Sequence, residues 1–280
     1  MWTILAVLNW TEQRFTERGL GTPRLDAQLL LAHVLQKDRV YLYTHFDQPL
    51  APDELAAFRG LIQRRLAGES VAYLLGKKEF RSLELTVDAR VLVPRPDTET
   101  LVDVALALLP EDGRVADIGT GSGAIALALK QERPALEVLA VDRSSDAATV
   151  ARQNAARLSL EVEILEGDLL APLAARGPFA LIASNPPYIP TAEIATLAPE
   201  VQKEPRAALD GGRDGLDLVR RLIREAPPLL APAGALALEI GAGQAPAVAA
   251  LFAADGRYEA ATLTKDLAGI ERVVAARLKA

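Results

Sequence analysis

Cysteine is absent from the sequence, which excludes disulfides and thiolate-bound metals. Histidine is nearly absent: His33 and His45 are the two present. Neither has a neighbour at ligand spacing, so no metal site is expected, and both are read as partly buried structural residues. Long apolar runs are missing too. None reaches the roughly 18 residues that cross a bilayer, so no membrane partner is expected. The apolar opening, Met1 to Leu8, lacks basic residues ahead of it and soon meets Thr11 and Glu12. It reads as a helix face rather than a secretion signal, and the expectation is a monomer in the cytoplasm. Positive charge is in short supply, with 31 Lys and Arg against 37 Asp and Glu and a net charge of −6. That balance argues against a groove built to grip nucleic acid directly.

What is present is a chain of 280 residues, half of them hydrophobic, enough for one large or two modest globular domains. Residues 1–68 read as helices. Ile4, Leu5, Val7, Leu8 and Phe15 recur at helical spacing, a second helix covers 24–35, and Pro52-Asp53 opens a third. Residues 69–93 change period. Phe80 to Val87 alternates apolar and polar, which predicts a half-exposed strand, and Val91 to Val93 a second. This segment is expected to be a β-hairpin linker. Residues 94–280 form the third region. Asp97 is read as the N-cap of a helix starting at Thr98. From Gly113 onward strand and helix alternate, with strands expected at 114–118, 136–141, 162–165, 179–183, 234–240, 259–264 and 272–278. The fold class is therefore α/β: a mostly parallel, doubly wound Rossmann-like sheet of about seven strands, preceded by a small helical domain.

In such sheets ligands sit outside the carboxyl ends of the strands. Asp117, Asp142, Asp168 and Asn185 all fall at such ends. Gly119-Thr120-Gly121-Ser122-Gly123 makes a tight turn after the first strand of the alternating region, a generic nucleotide signal. Asp142 lies 142 − 123 = 19 positions beyond Gly123, where an acid can hold ribose hydroxyls, so a nicotinamide dinucleotide is not excluded by the glycines. Asp117 tips the choice. A carboxylate beside a pyrophosphate about 4 Å away would cost on the order of a few kcal/mol. The same carboxylate suits S-adenosylmethionine, which carries an ammonium and a sulfonium and no phosphate. Asp168 would accept from the adenine amino group, with Leu169 against the ring.

Asn185-Pro186-Pro187-Tyr188 follows the strand 179–183. Two consecutive prolines forbid helix and ladder hydrogen bonds, so the chain leaves the sheet in a stiff, extended form. The Asn185 side chain, the fixed carbonyls and the Tyr188 ring then suit a planar group bearing an NH2.

Together, Pro94-Arg-Pro-Asp-Thr-Glu99, Asp117-Ile-Gly-Thr-Gly-Ser-Gly123, Asn185-Pro-Pro-Tyr188, Glu204-Pro205, Gly211-Gly-Arg-Asp-Gly-Leu-Asp217 and Asp266-Leu-Ala-Gly-Ile-Glu-Arg-Val273 resemble the class I S-adenosylmethionine methyltransferases of the HemK type. The resemblance runs from about Gly68 to the C-terminus. It implies a protein-glutamine methyltransferase acting on the Gly-Gly-Gln glutamine of peptide chain release factors, with the helical segment as a substrate-docking domain. It implies cofactor contacts at Asp117, Gly119, Thr120, Gly121, Ser122, Gly123, Asp142, Asp168, Leu169 and Asn185, catalytic roles for Asn185, Pro186 and Tyr188, and substrate contacts from these and Pro187. The competing expectation is a DNA or RNA methyltransferase acting on the adenine amino group through the same Asn-Pro-Pro-Tyr loop.

Overall fold

The computed structural model describes residues 1–279. They divide into two compact units: Met1–Gly76 together with Ala198–Lys203, and the rest of the chain.

The first unit is helical: α1 (Ile4–Glu17), α2 (Pro23–Leu35), α3 (Arg39–Thr44), α4 (Pro52–Leu66) and α5 (Val71–Leu75). Each start carries its own signal. The Thr3 hydroxyl accepts from the Ala6 N–H at 3.3 Å, and Pro23 and Pro52 open α2 and α4 where a missing N–H costs nothing. Ile4, Phe15, Leu30, Leu31, Phe58 and Ile62 make its core. Arg65 is buried in it and bonds Asp26 at 2.8 Å, the Glu69 carbonyl at 3.1 Å and Glu200 at 2.7 Å. The last of these holds the turn Ala198–Lys203 within the helical unit. His33 and His45, expected to be partly buried, are both exposed, and the His45 ring stacks on Tyr41 at 3.9 Å. The register of α2 turns His33 to solvent, and His45 lies past the last residue of α3, at its C-cap.

The second unit begins with a hairpin, β1 (Lys77–Phe80) and β2 (Leu83–Thr86). The single strand expected over 80–87 is folded back at Arg81-Ser82, where φ is +46° and +63°. Two successive positive φ values make the twist of a two-residue hairpin turn. Arg81 is secured there by Asp103 at 2.6 Å and Glu132 at 2.9 Å. The strand expected at Val91 to Val93 does not form; Val91 and Val93 are buried without a ladder. The helical residues Val71–Leu75 take the place of the first part of the expected linker.

Then come α6 (Glu99–Leu108), β3 (Gly113–Ile118), α7 (Ala124–Glu132), β4 (Leu136–Asp142), α8 (Ser145–Leu158), β5 (Glu163–Glu166), β6 (Phe179–Ser184), α9 (Asp217–Glu225), β7 (Leu230–Glu239), α10 (Ala245–Asp255), β8 (Thr262–Lys265) and β9 (Glu271–Arg277). The sheet order is β5-β4-β3-β6-β7-β9-β8. The first five strands are parallel, and β9 runs antiparallel to both β7 and β8. The apolar runs of β3, β4, β6 and β7 bury Ile118, Val141, Phe179, Ile182, Leu236 and Leu238 under the flanking helices, as strands covered on both faces require. The chain leaves β3 toward β4 on one side and returns to β6 on the other. That reversal opens a crevice at the carboxyl ends of β3 and β6.

Candidate functional site

Register fixes the centre of the crevice. Ile118 of β3, Ser184 of β6 and Leu238 of β7 are aligned, and the Ser184 hydroxyl donates to the Ile118 carbonyl at 2.7 Å. One residue further on, Gly119, Asn185 and Glu239 therefore stand at adjacent strand ends. The glycine turn and the proline corner are neighbours.

Asp117 is fully buried on β3, one residue short of the strand end expected for it. Its Oδ2 accepts from the Thr120 hydroxyl at 2.6 Å and from the Ala126 N–H at 3.2 Å, which ties the turn to α7. Its Oδ1 is buried with no hydrogen-bond partner. Burial pushes the carboxyl up to about 7, with the Asp142 charge adding to the shift and the two donors opposing it. An orphaned carboxylate oxygen at this depth is an acceptor waiting for a cationic or N–H group.

The turn itself has little left for a phosphate. The N–H groups of Gly119 and Thr120 go to the Val141 carbonyl, that of Gly121 to Asp142 Oδ2 at 2.9 Å, and that of Gly123 to the Thr120 carbonyl. Phosphate cradles work through free backbone N–H groups, and these four are already engaged. The space beside it is open: a Cβ on Gly119 or Gly121 would meet nothing within 4 Å. Asp142 also accepts from the Ser144 N–H at 2.8 Å, so its carboxylate braces the turn.

Asp168 and Leu169 follow β5. One carboxylate oxygen of exposed Asp168 pairs with Arg221 at 2.7 Å, and the Arg221 guanidinium holds the carboxyl below its usual range. Leu169 takes a left-handed backbone, φ +47°, and packs on the sheet core.

The proline corner is braced on every side. The Asn185 amide nitrogen donates to the Thr98 hydroxyl at 3.2 Å. The Tyr188 carbonyl accepts from the Gln244 side chain at 2.9 Å, and the same side chain accepts from the Gly241 N–H. Ile189 exchanges backbone bonds with Leu209 and Gly211. The Gly211 to Asp217 segment thus lies directly against the corner: a Cβ on Gly211 would come within 2.6 Å of the Pro187 carbonyl, and one on Gly215 would overlap that of Tyr188. The glycines there serve close backbone approach. Burial raises the Tyr188 phenol to about 12, with Glu239 adding and Arg272 and Arg95 opposing.

The flanking motifs are struts. Asp97, expected to cap a helix, instead pairs with Arg272 at 2.9 Å, and α6 starts after it with no side-chain cap. Arg272 also bonds Asp266 at 3.0 Å, so the closing Asp266 to Arg272 motif is joined to Pro94 to Glu99. Arg95 bonds Glu204 at 2.6 Å, and Glu204, 4% exposed, also accepts from the Val93 N–H. Thr98 and Glu239 line the site and were missed in the sequence. Glu239 ends β7 as Asp142 ends β4, and an acid at a strand end was the available signal.

The comparisons with known proteins agree in direction. Residues 6–76 match the model described as PrmC N-terminal domain, and residues 97–251 the model described as Methyltransferase small domain. The release factor glutamine methyltransferase of Geobacter sulfurreducens is 47% identical over 279 residues, covering 99% of this chain and 98% of its own. That of Deinococcus radiodurans is 45% identical and covers 97% of each. Among solved structures, a methyltransferase from Pyrococcus furiosus overlays with a TM-score of 0.56 at 19% identity, over 78% of this chain and 98% of its own. The 16S rRNA N2 G1207 methyltransferase of Thermus thermophilus, solved with AdoMet and guanosine, overlays at 0.51 and 18% identity, over 72% of this chain and 50% of its own. These two likenesses show the fold.

Proposed function

The chain belongs to the release factor glutamine methyltransferases, and from that premise we propose that it methylates the side-chain amide nitrogen of the Gly-Gly-Gln glutamine of peptide chain release factors. The methyl donor is S-adenosylmethionine, which supplies, when bound, a methyl group on a positively charged sulfur. The residues fit that donor. The orphaned Asp117 Oδ1 suits its ammonium, the open side of Gly119 and Gly121 leaves room for it, and the spent N–H groups of the turn disfavour a phosphate-bearing alternative. Asp142 and Asp168 remain the ribose and adenine acceptors of this reading, although each carboxylate already has a protein partner. Thr120, Ser122, Gly123 and Leu169 shape the pocket wall.

One observation carries the proposal. Asn185 stands in register beside Gly119 with its amide nitrogen turned inward to Thr98, which leaves Oδ1 as the outward acceptor. A glutamine amide is a weak nucleophile because its lone pair is shared with the carbonyl. Asn185 Oδ1 and the Pro186 carbonyl each accept one of its N–H bonds. They aim the nitrogen and stabilise the positive charge that grows on it. Pro187 keeps these acceptors stiff. The Tyr188 ring packs on the amide plane and excludes water, and its phenol stays protonated near neutral pH.

The test is mass spectrometry of a purified release factor after incubation with this protein and S-adenosylmethionine. One methyl on the Gly-Gly-Gln glutamine is expected. Transfer to an adenine-containing DNA or RNA duplex, with the release factor unmodified, would replace this reading with the adenine one.

A further inference from the structure

Glu239 ends β7, 1% exposed. Neither of its oxygens has a hydrogen-bond partner among the described residues. Thr98 and Asn185 come near enough to favour its ionised form without completing a hydrogen bond to it. Arg272 also favours the ion, while Asp97 and burial oppose it, and Tyr188 lies within its field. An unpartnered buried carboxylate is costly to retain. This one sits beside the one side chain whose orientation the reaction depends on.

The Asn185 amide has two ends of nearly equal size and opposite polarity. Thr98 alone cannot choose between them, because a hydroxyl donates or accepts equally well. An ionised carboxylate accepts only. With Glu239 ionised, the NH2 end is held inward and Oδ1 faces the substrate. With Glu239 neutral, its proton can bond Oδ1, the amide can turn over, and Asn185 would then offer N–H to a substrate amide that itself needs acceptors.

We propose that Glu239 is a positioning residue that sets the orientation of the Asn185 amide and so makes the loop an acceptor for the substrate nitrogen. The inference rests on the function proposed above. It acts through Asn185 and touches neither substrate nor donor. Consequently Glu239→Gln, close to Glu239 in shape, should lower kcat by about ten- to a hundredfold, the usual range for losing an oriented charge-stabilising contact. The Kd for S-adenosylmethionine and the KM for the release factor should hold within about twofold. The wild type should lose kcat toward acid pH as Glu239 protonates, and Glu239→Gln should show no such limb. In an Asn185→Ala background, Glu239→Gln should have almost no further effect, since residues acting as a unit are not additive.

The experiment is kcat against pH for the wild type, both single variants and the double variant, on release factor with S-adenosylmethionine, with donor affinity measured alongside. The wild-type acid limb needs no variant and is read first. An active wild type with a flat acid limb, or a Glu239→Gln whose loss adds in full to that of Asn185→Ala, overturns this inference alone. A wild type inactive on release factor overturns the functional reading, and this inference with it.

Discussion

In the function proposed above, Asp117 is the residue at which acid–base chemistry and donor binding meet. Its carboxyl stands at about 7 because it is buried, with Asp142 adding to the shift and the Thr120 hydroxyl and Ala126 N–H opposing it. A group raised this far is half-protonated near neutral pH. An ammonium against Oδ1 favours the ion, so donor binding lowers the carboxyl's pKa and releases a proton. The affinity for S-adenosylmethionine is therefore expected to rise from about pH 6 to about pH 8 and level off above. Calorimetry in two buffers of different ionisation enthalpy would show the released proton. An affinity flat across that window would place the ammonium elsewhere. Asp117→Asn should remove the pH dependence and weaken binding by on the order of ten- to a hundredfold, the worth of one charge-assisted bond. The acidic strand ends were readable in the sequence because strand ends are polar for few reasons. The Asp168–Arg221 pair was not: the partners lie 53 residues apart, and only the packed fold brings them together.

At the scale of elements, the proline corner is pressed against the segment behind it, while the side of the glycine turn stays open. The Gly211 to Asp217 segment and the proline corner meet backbone to backbone at Gly211 and Gly215, and Gly215 has φ +78°. Gly215→Ala combines a conformational penalty with overlap at the Tyr188 carbonyl. A loss of about 1–3 kcal/mol is expected, with kcat falling as the corner shifts. Thermal unfolding and turnover measured together check this; an unaltered kcat would show that the corner tolerates displacement. The seven strands of the large sheet followed from period and alternation, and so did the glycine turn and the proline corner, whereas the order of the strands came only with the fold. The hairpin turn at Arg81-Ser82 did not, because neither residue is the glycine or asparagine that usually marks positive φ. Nor did the Asp97–Arg272 strut, since a helix cap and an ion pair look alike in sequence. Glu239 was hidden for a related reason. Its nearness to Asn185 comes from the β6–β7 register, which no local pattern encodes.

For the molecule as a whole, the helical unit has its own polar keystone. Asp26 and Arg65 are both buried and joined at 2.8 Å, with side chains 5% exposed. Breaking a buried pair from one side leaves a charge without compensation, so Arg65→Met should cost about 3–5 kcal/mol. Asp26→Leu together with Arg65→Met should recover most of that loss. Chemical unfolding of the two variants checks it, and equal losses in both would mean the charge pair is not what matters. The Arg65–Glu200 contact, with Glu200 40% exposed, contributes less than about 1 kcal/mol by comparison. Among the described residues no helix is long and apolar enough to cross a membrane.

The account turns on an acceptor at the tip of β6, and Asn185→Ala addresses it most directly. Single-turnover methyl transfer to a release factor should slow by about a hundred- to a thousandfold, while the Kd for S-adenosylmethionine changes by less than about threefold. Transfer at near-normal speed by that variant would contradict the account.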